Sequence, residues 1–394
     1  MPLRRARSTA AALVTVATFV DIVAYSVAIP VLPDLSRRLG ASPTTIGLLF
    51  GSFGVTLLTV SIPVGAMSDR TGRRLPLVAG LVALAAATVL FAFADGLPWL
   101  FAARLVQGAA DAITWVVGFA LIADLYAPAE RGRMTGIVMS GTSFAVMIGP
   151  SIGGWLYEIG GTRLPFLAVA GLAAVAAVAF IWIDLPREQS ARERVPVSVV
   201  IRTPAIAACA IAVVAASATI SMLEPVLALH LQSFGIGPGR VGSIFGIGAV
   251  ASTALHPLFG RLADRFGARR LTMCGLVASA VAVAVLGQTW SFASTVPLFA
   301  LCAAASALVI TPSLTFMGEA TSEAGIGSFG IAYGLYNVAW GCGLLGGPAL
   351  GGFLYERIGF GALAVAWAPG LVVVAGLLAR VQSYRSPDAV KERV

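Results

Sequence analysis

Four charged residues interrupt stretches of the chain that are otherwise strongly apolar. They are Asp21, Arg104, Asp111 and Glu224. A charged side chain at the centre of a membrane-spanning helix costs about 2.5–3.5 kcal/mol, so it persists mainly where it binds a partner, an ion or a proton. These four residues are therefore the first candidates for a functional site.

Asp21 is the clearest of the four candidates. Thr18 and Tyr25 lie one helical turn before and after it, on the same helix face. Away from water the charged carboxylate is disfavoured, so Asp21 can exchange a proton near neutral pH, and its charged form attracts a cation. The alternative is a structural hydrogen bond or ion pair. An Asp21→Asn variant that still moved substrate uphill would exclude Asp21 from coupling.

The sequence allows two roles for Glu224 and two for Asp111, which lies with Arg104 in the fourth apolar stretch. Glu224 precedes Pro225, which frees a backbone carbonyl, and we expect it about 13 Å further outward than Asp21. It either contacts substrate or protons or has a structural role at the rim. Asp111 shares a helix face with Arg104, as a second cation-attracting acid or as its counter-charge.

Aromatic residues near these positions could line a pocket. Aromatic faces bind cations, and Trp115 lies one turn from Asp111. The stretch "YGLYNVAW" adds an asparagine among three further aromatic residues. The full set of pocket candidates is Tyr25, Trp115, Tyr333, Tyr336, Asn337 and Trp340. Alternatively, the aromatic residues simply fill membrane helices.

The composition shows what kind of protein positions these residues. The chain has 394 residues, 58% hydrophobic and 11% charged, with a mean hydropathy of +0.91. Runs of about twenty apolar residues are long enough to cross a bilayer as helices. We predict an all-α integral membrane protein with twelve transmembrane helices, at 9–32, 44–66, 77–94, 98–121, 135–157, 164–184, 205–232, 240–260, 271–288, 294–316, 330–354 and 361–382.

The net charge of +8 is explained by topology and does not indicate nucleic-acid binding. With both termini in the cytoplasm, most Lys and Arg fall on cytoplasmic segments, as the positive-inside rule requires. The arginines on predicted outer loops are Arg37, Arg38, Arg163, Arg240 and Arg357. The first run lacks a small-residue cleavage site, so we expect a retained helix and a multi-pass protein of the cytoplasmic membrane.

The sequence contains two copies of one six-helix unit. "GAMSDRTGRR" from Gly65 has a counterpart in "GRLADRFGARR" from Gly260, and "GPSIGGWLYE" has one in "GPALGGFLYE". We predict bundles at 1–184 and 205–394, joined by a charged cytoplasmic linker at 185–204. Parallel repeats of this kind place the substrate site between them near mid-membrane.

These motifs, with "RLVQG" at Arg104–Gly108, make the chain resemble the major facilitator superfamily over essentially its full length. Within it, "DIVAYSVAIPVLP" and "LEPVLALHL" are similar to the vesicular amine transporters and their bacterial drug-exporting relatives. The resemblance implicates Arg104 in proton coupling. A structural tether to the first helix is the alternative.

The resemblance also implies a gate at the polar cluster that follows the second helix and at its copy. Such a cluster would latch the two halves on the cytoplasmic side, with Asp124 as a partner of Arg70 or Arg73 and Gly65 permitting close helix approach. For Arg73 and Arg74 the alternative is a solvated anchor. The gate candidates are Gly65, Asp69, Arg70, Gly72, Arg73, Asp124, Gly260, Asp264, Arg265 and Gly267.

Small residues on the fifth helix and in its copy form a further group of candidates. Glycines let helices pack closely. A helix face made of glycines also lets one helix slide on another, as a hinge requires, so both roles stay open. The residues are Gly141, Gly149, Pro150, Gly153, Gly154, Gly347, Pro348, Gly351 and Gly352.

The expected function is secondary transport by alternating access, as proton-coupled export of hydrophobic or cationic small molecules. The sequence has no "GxxxxGK[ST]" loop, so we expect an ion gradient as the energy source, with no cofactor, no metal and no enzymatic activity. A monomer suffices. The alternatives are transport of neutral solutes such as sugars, and a signalling or lipid-handling role.

Overall fold

The computed structural model describes residues 2–126, 128–182, 203–323 and 329–380, and the regular structure in them is entirely α-helical. The last helical run, Phe329–Arg380, is broken at Gly359, whose φ is 74°; we number its parts α11 (329–358) and α12 (360–380). The preceding helices are α1 Pro2–Arg38, α2 Pro43–Thr71, α3 Arg74–Phe93, α4 Leu97–Leu125, α5 Pro128–Gly160, α6 Arg163–Ile181, α7 Pro204–Ser233, α8 Pro238–Phe266, α9 Ala268–Leu286 and α10 Phe292–Glu323.

The predicted fold class is confirmed. Within the described residues, eleven helical runs are long and apolar enough to cross a membrane, and the last of them, Gly334–Arg380, contains both α11 and α12. Helices suit this setting because they satisfy their own backbone hydrogen bonds where no water is present. Most helices extend beyond the predicted apolar spans, as α1 does.

The backbone turns repeat the duplication seen in the sequence. Among the described residues, φ is positive only at glycines, which lack the Cβ that makes this region costly. Gly40 and Gly235 are 195 residues apart, and so are Gly72 and Gly267, whereas Gly161 and Gly359 are 198 apart. We call the side of the α1–α2 turn the first-loop side and that of the α2–α3 turn the second-loop side.

The chain packs into two compact units. Unit one joins α1–α6 to Met222–Ala249 and Pro348–Arg357, and unit two contains the described parts of Arg192–Ser221, Val250–Gly347 and Ile358–Val394. The division into halves at 1–184 and 205–394 stays a prediction. The predicted linker lies outside the described residues except for 203 and 204.

In unit one, α1 is the central helix and packs most extensively against α5, while α2 packs against α4, and α3 against α4 and α6. Side chains such as Val14, Val27 and Leu32 are completely buried. In unit two, residues of α7–α12 enclose an apolar core that includes Leu276 and Met317.

Candidate functional site

Asp21 on α1 and Asp111 on α4 lie side by side. Their carboxyl groups are within hydrogen-bonding reach of each other, and Trp115 reaches both. Asp21 is 1% exposed and Asp111 is 7% exposed. Oδ2 of Asp21 has no hydrogen-bond partner in the described part of the chain. We call Asp21 and Asp111 the carboxyl pair.

Arg104 is a wholly buried cation on the same helix as Asp111. Its Nη1 donates to Oε1 of Gln107 at 2.6 Å. Its guanidinium carbon lies 4.9, 4.7 and 5.2 Å from the ring centroids of Tyr25, Phe50 and Phe53, respectively. Aromatic faces stabilise a desolvated cation, so these rings partly replace water around the charge.

Tyr25 links α1 to the acid on α7. Its hydroxyl donates to Oε2 of Glu224 at 2.5 Å, and Glu224 is 7% exposed. Arg104 is close enough to interact electrostatically with both Tyr25 and Glu224. Tyr25 lies one turn after Asp21, so its hydroxyl connects this part of α1 to Glu224. The difference in depth predicted between Asp21 and Glu224 stays a prediction.

Together these residues form one network in unit one, which we call the charge network: Asp21, Tyr25, Arg104, Asp111 and Glu224. It contains three carboxyl groups and one guanidinium. Buried charges are normally paired, so the excess of acids can be compensated only by protons or by a bound cation. The arrangement can therefore exchange one for the other.

The aromatic candidates on α11 belong to unit two. Tyr336 is buried, with its hydroxyl 3.1 Å from Oγ of Ser313. Trp340 packs against the apolar core of that unit, and Asn337 is exposed. The side chain of Tyr333 lies outside the described part of the chain. The contribution of these residues to a pocket stays a prediction.

On the second-loop side, Arg73 is the partner of Asp124. Its Nε lies 2.7 Å from Oδ2 of Asp124, and its Nη1 donates to Oγ of Ser68 at 2.6 Å. Arg70 is exposed. The side chain of Asp69 lies outside the described residues, so its role in a gate stays a prediction.

Glycine has different roles at the two ends of this motif. At Gly72, φ is 82°, so the turn itself requires glycine. A Cβ at Gly65 would lie 3.4 Å from Val116, which is an ordinary contact. The role of Gly65 in close helix approach and in a gate stays a prediction.

The copy of the motif, in unit two, has a similar backbone. Gly267 has a φ of 91°, and a Cβ at Gly260 would meet nothing closer than 3.8 Å. Asp264 and Arg265 are exposed, and Arg265 lies over the ring of Phe266 at 5.3 Å.

The glycines of α5 lie where it approaches α1. A Cβ at Gly141 would lie 2.8 Å from the side chain of Thr15, and a Cβ at Gly153 would lie 2.8 Å from Cα of Val27. Gly149 faces Ser26. Side chains at these positions would push the two helices apart, so close packing accounts for the glycines, and a hinge role stays a prediction.

The copy of this glycine motif packs against α7. Gly347 faces Ala218 in unit two, and Gly351 faces Met222 in unit one. Both contacts are too close for a Cβ, so α11 and α7 approach each other as α5 and α1 do.

The last residues of the two repeated motifs form contacts that the sequence reasoning missed. Oε1 of Glu158, on α5, accepts from the backbone N–H of Gly239 at 2.8 Å, in the first turn of α8. Oε2 of Glu356, on α11, accepts from the backbone N–H of Thr44 at 2.9 Å, in the first turn of α2. The shared ending "LYE" was the available signal.

Close backbone contacts accompany these two hydrogen bonds in unit one. A Cβ at Gly154 would lie 2.8 Å from Cα of Gly239, and a Cβ at Gly352 would lie 3.0 Å from Cα of Gly47. The backbones of Pro150 and Pro348 face Gly242 and Gly47, respectively. Two equivalent helix pairs, α5 with α8 and α11 with α2, thus meet on the first-loop side.

Comparison with known proteins places these features in context. A family model described as Major Facilitator Superfamily matches residues 14–223 and 209–393. The probable vesicular acetylcholine transporter-B of Danio rerio is 30% identical over 392 residues, which cover 92% of this chain and 78% of that protein. The synaptic vesicular amine transporter of Mus musculus is 25% identical over 375 residues, which cover 93% of this chain and 71% of that protein.

A solved structure shares the fold at lower sequence identity. It is that of a bacterial homologue of the human lysosomal transporter Spinster, in an inward-facing and unoccupied conformation. The TM-score is 0.74 with 17% identity, and the match covers 95% of each chain.

Proposed function

Because the chain belongs to the major facilitator superfamily, we propose that it is a secondary transporter that exchanges protons for hydrophobic, cationic small molecules by alternating access. The charge network carries this proposal. It has three acids against one base in surroundings that exclude water, so it attracts a cation when it has lost protons and releases it when protonated.

The relatives support a cationic cargo. The names of the Danio rerio and Mus musculus transporters refer to acetylcholine, a permanent cation, and to amines, which are protonated at neutral pH. We infer that the chain transports molecules of this chemical class.

The proton gradient is the proposed energy source, without a cofactor or a chemical reaction. A membrane exporter that uses it would act in the cytoplasmic membrane with both termini inside, as the arginine distribution favours. One chain contains both six-helix copies, so a monomer is the proposed working unit.

The neutral-solute alternative makes a different prediction. A transporter of sugars, whether facilitative or proton-coupled, would use Asp21 to bind hydroxyl groups, and its cargo would carry no charge. A signalling or lipid-handling protein would need no proton exchange. Gradient-driven movement of a cation therefore separates the proposal from both.

The test is uptake of ethidium, a permanent monovalent cation, into proteoliposomes with an acidic lumen and trapped DNA. We expect the wild-type protein to accumulate ethidium until nigericin collapses the gradient. The variant Asp21→Asn/Asp111→Asn should fall to the level of empty liposomes. Asp95→Asn, an exposed acid of the α3–α4 loop, is the matched control and should behave as wild type.

Three outcomes would overturn the proposal. One is wild-type uptake that is the same with and without the gradient. Another is uphill uptake by the double variant at the wild-type rate. Acetylcholine is tested in parallel as a smaller cation, and failure of the wild-type protein to accumulate either cation would also contradict the assignment.

A further inference from the structure

The carboxyl pair has a property that neither acid has alone. Asp21 and Asp111 lie within hydrogen-bonding reach of each other, and each is at least nine-tenths buried. Two carboxylates that share an apolar site repel each other and lack hydration, so they do not both ionise. A proton held between them turns the repulsion into a hydrogen bond.

An unsatisfied atom of the carboxyl pair agrees with a retained proton. Oδ2 of Asp21 is buried without a hydrogen-bond partner among the described residues. Buried polar atoms are normally satisfied, and a proton held between the two carboxyl groups supplies the missing donor.

The other charged groups of the network determine how many protons the carboxyl pair must bind for the network to be neutral. Arg104, on α4, acts electrostatically on Asp111. Glu224, on α7, accepts from Tyr25 of α1 and is also acted on by Arg104. With Glu224 ionised opposite Arg104, the net charge is that of the carboxyl pair. The pair is neutral with two protons and singly negative with one.

On the basis of the proposed function, we propose that the carboxyl pair retains one proton throughout and exchanges its second proton for one monovalent cation. The network is then neutral in both loaded states, with two protons or with one proton and one cation. A divalent cation would require both carboxyl groups to ionise in contact, so the substrate class is monovalent organic cations.

According to the proposal, either of the two acids can exchange the second proton when the other one is neutral. Asparagine at either position resembles a protonated aspartic acid, because it is neutral and can donate to the remaining carboxylate. Each single variant therefore keeps one acid that can exchange a proton. Asp21→Asn alone, which the sequence suggested as the decisive test, is not decisive when Asp111 lies beside it.

The experiment measures the protons that the full-length protein releases in weakly buffered detergent when it binds ethidium. We expect about one proton per ethidium for the wild-type protein. Asp21→Asn and Asp111→Asn should each also release about one proton, because each keeps one acid that can exchange it. The double variant should release none. Methyl viologen, a dication, should bind at least about tenfold more weakly than ethidium.

The outcomes distinguish this inference from the proposed function. Release of two protons by the wild-type protein and one by each single variant would mean that the acids act independently, which overturns the inference and leaves proton–cation exchange intact. Loss of proton release in only one of the single variants would also overturn it. Ethidium binding without any proton release would overturn the inference and the proposed function together.

Discussion

At the scale of single residues, Tyr25 determines how the charge network is connected. Its hydroxyl binds Glu224, its ring covers Arg104, and it lies one turn from Asp21. A hydrogen bond to a charged group contributes about 1.5–3 kcal/mol. Tyr25 therefore stabilises the ionised form of Glu224, which balances Arg104.

Tyr25→Phe should weaken cation binding while leaving proton–cation exchange in place. Loss of the hydroxyl removes a donor from Glu224, so we expect ethidium affinity at neutral pH to fall about tenfold or more. Fluorescence anisotropy of ethidium with purified protein measures the change. Tyr355→Phe, at a half-buried position outside the network, is the matched control. Equal affinities for the two variants would contradict the role given to Tyr25.

The sequence predicted which residues are important but not which of them meet. Asp21, Arg104, Asp111 and Glu224 were identified because charge is rare in apolar helices, and all four are buried. The meeting of Asp21 with Asp111 depends on how α1 and α4 are rotated about their axes. Neighbouring helices set that rotation, and the spacing within one helix does not contain it.

At the scale of helices, two equivalent contacts hold the first-loop side of unit one together. Glu158 and Glu356 each accept a hydrogen bond in the first turn of another helix, where unpaired N–H groups and the helix dipole favour negative charge. Glycines bring the same helix pairs together. These contacts must break if this side opens during transport.

Glu158→Gln combined with Glu356→Gln should favour separation of these helix ends. Glutamine can still accept a hydrogen bond but removes the charge that the helix amino terminus favours, so the separated population should rise roughly threefold or more. Electron–electron double resonance between spin labels at Ile159 and Phe234, in a chain without its four cysteines, measures the separation. Glu130→Gln, an exposed acid in the first turn of α5, is the control. An unchanged distance distribution would count against the contacts.

Helix positions were more predictable than helix ends. Apolar runs located the spans because a bilayer demands about twenty such residues. The observed helix ends differ from the predicted ones because polar capping and turn residues continue a helix past its apolar part. At the start of α2, for example, the side chain of Ser42 accepts a hydrogen bond from the backbone N–H of Thr45. The break at Gly359 was correctly expected between two spans.

At the scale of the whole molecule, the duplication is the most informative feature of the sequence. It predicted two copies of a six-helix unit, and the paired glycines at the turns carry the same repeat in the backbone. The copies have nevertheless diverged in charge. The acids of the charge network come from α1 and α4 of the first copy and from α7 of the second, so the network draws on both.

The most direct test of the central claim is the pH inside proteoliposomes when ethidium is added outside without an initial pH gradient. Exchange predicts that inward movement of ethidium drives protons out, so the lumen becomes alkaline with the wild-type protein and stays unchanged with Asp21→Asn/Asp111→Asn. Entry of ethidium through the wild-type protein with no change in the internal pH would contradict the account.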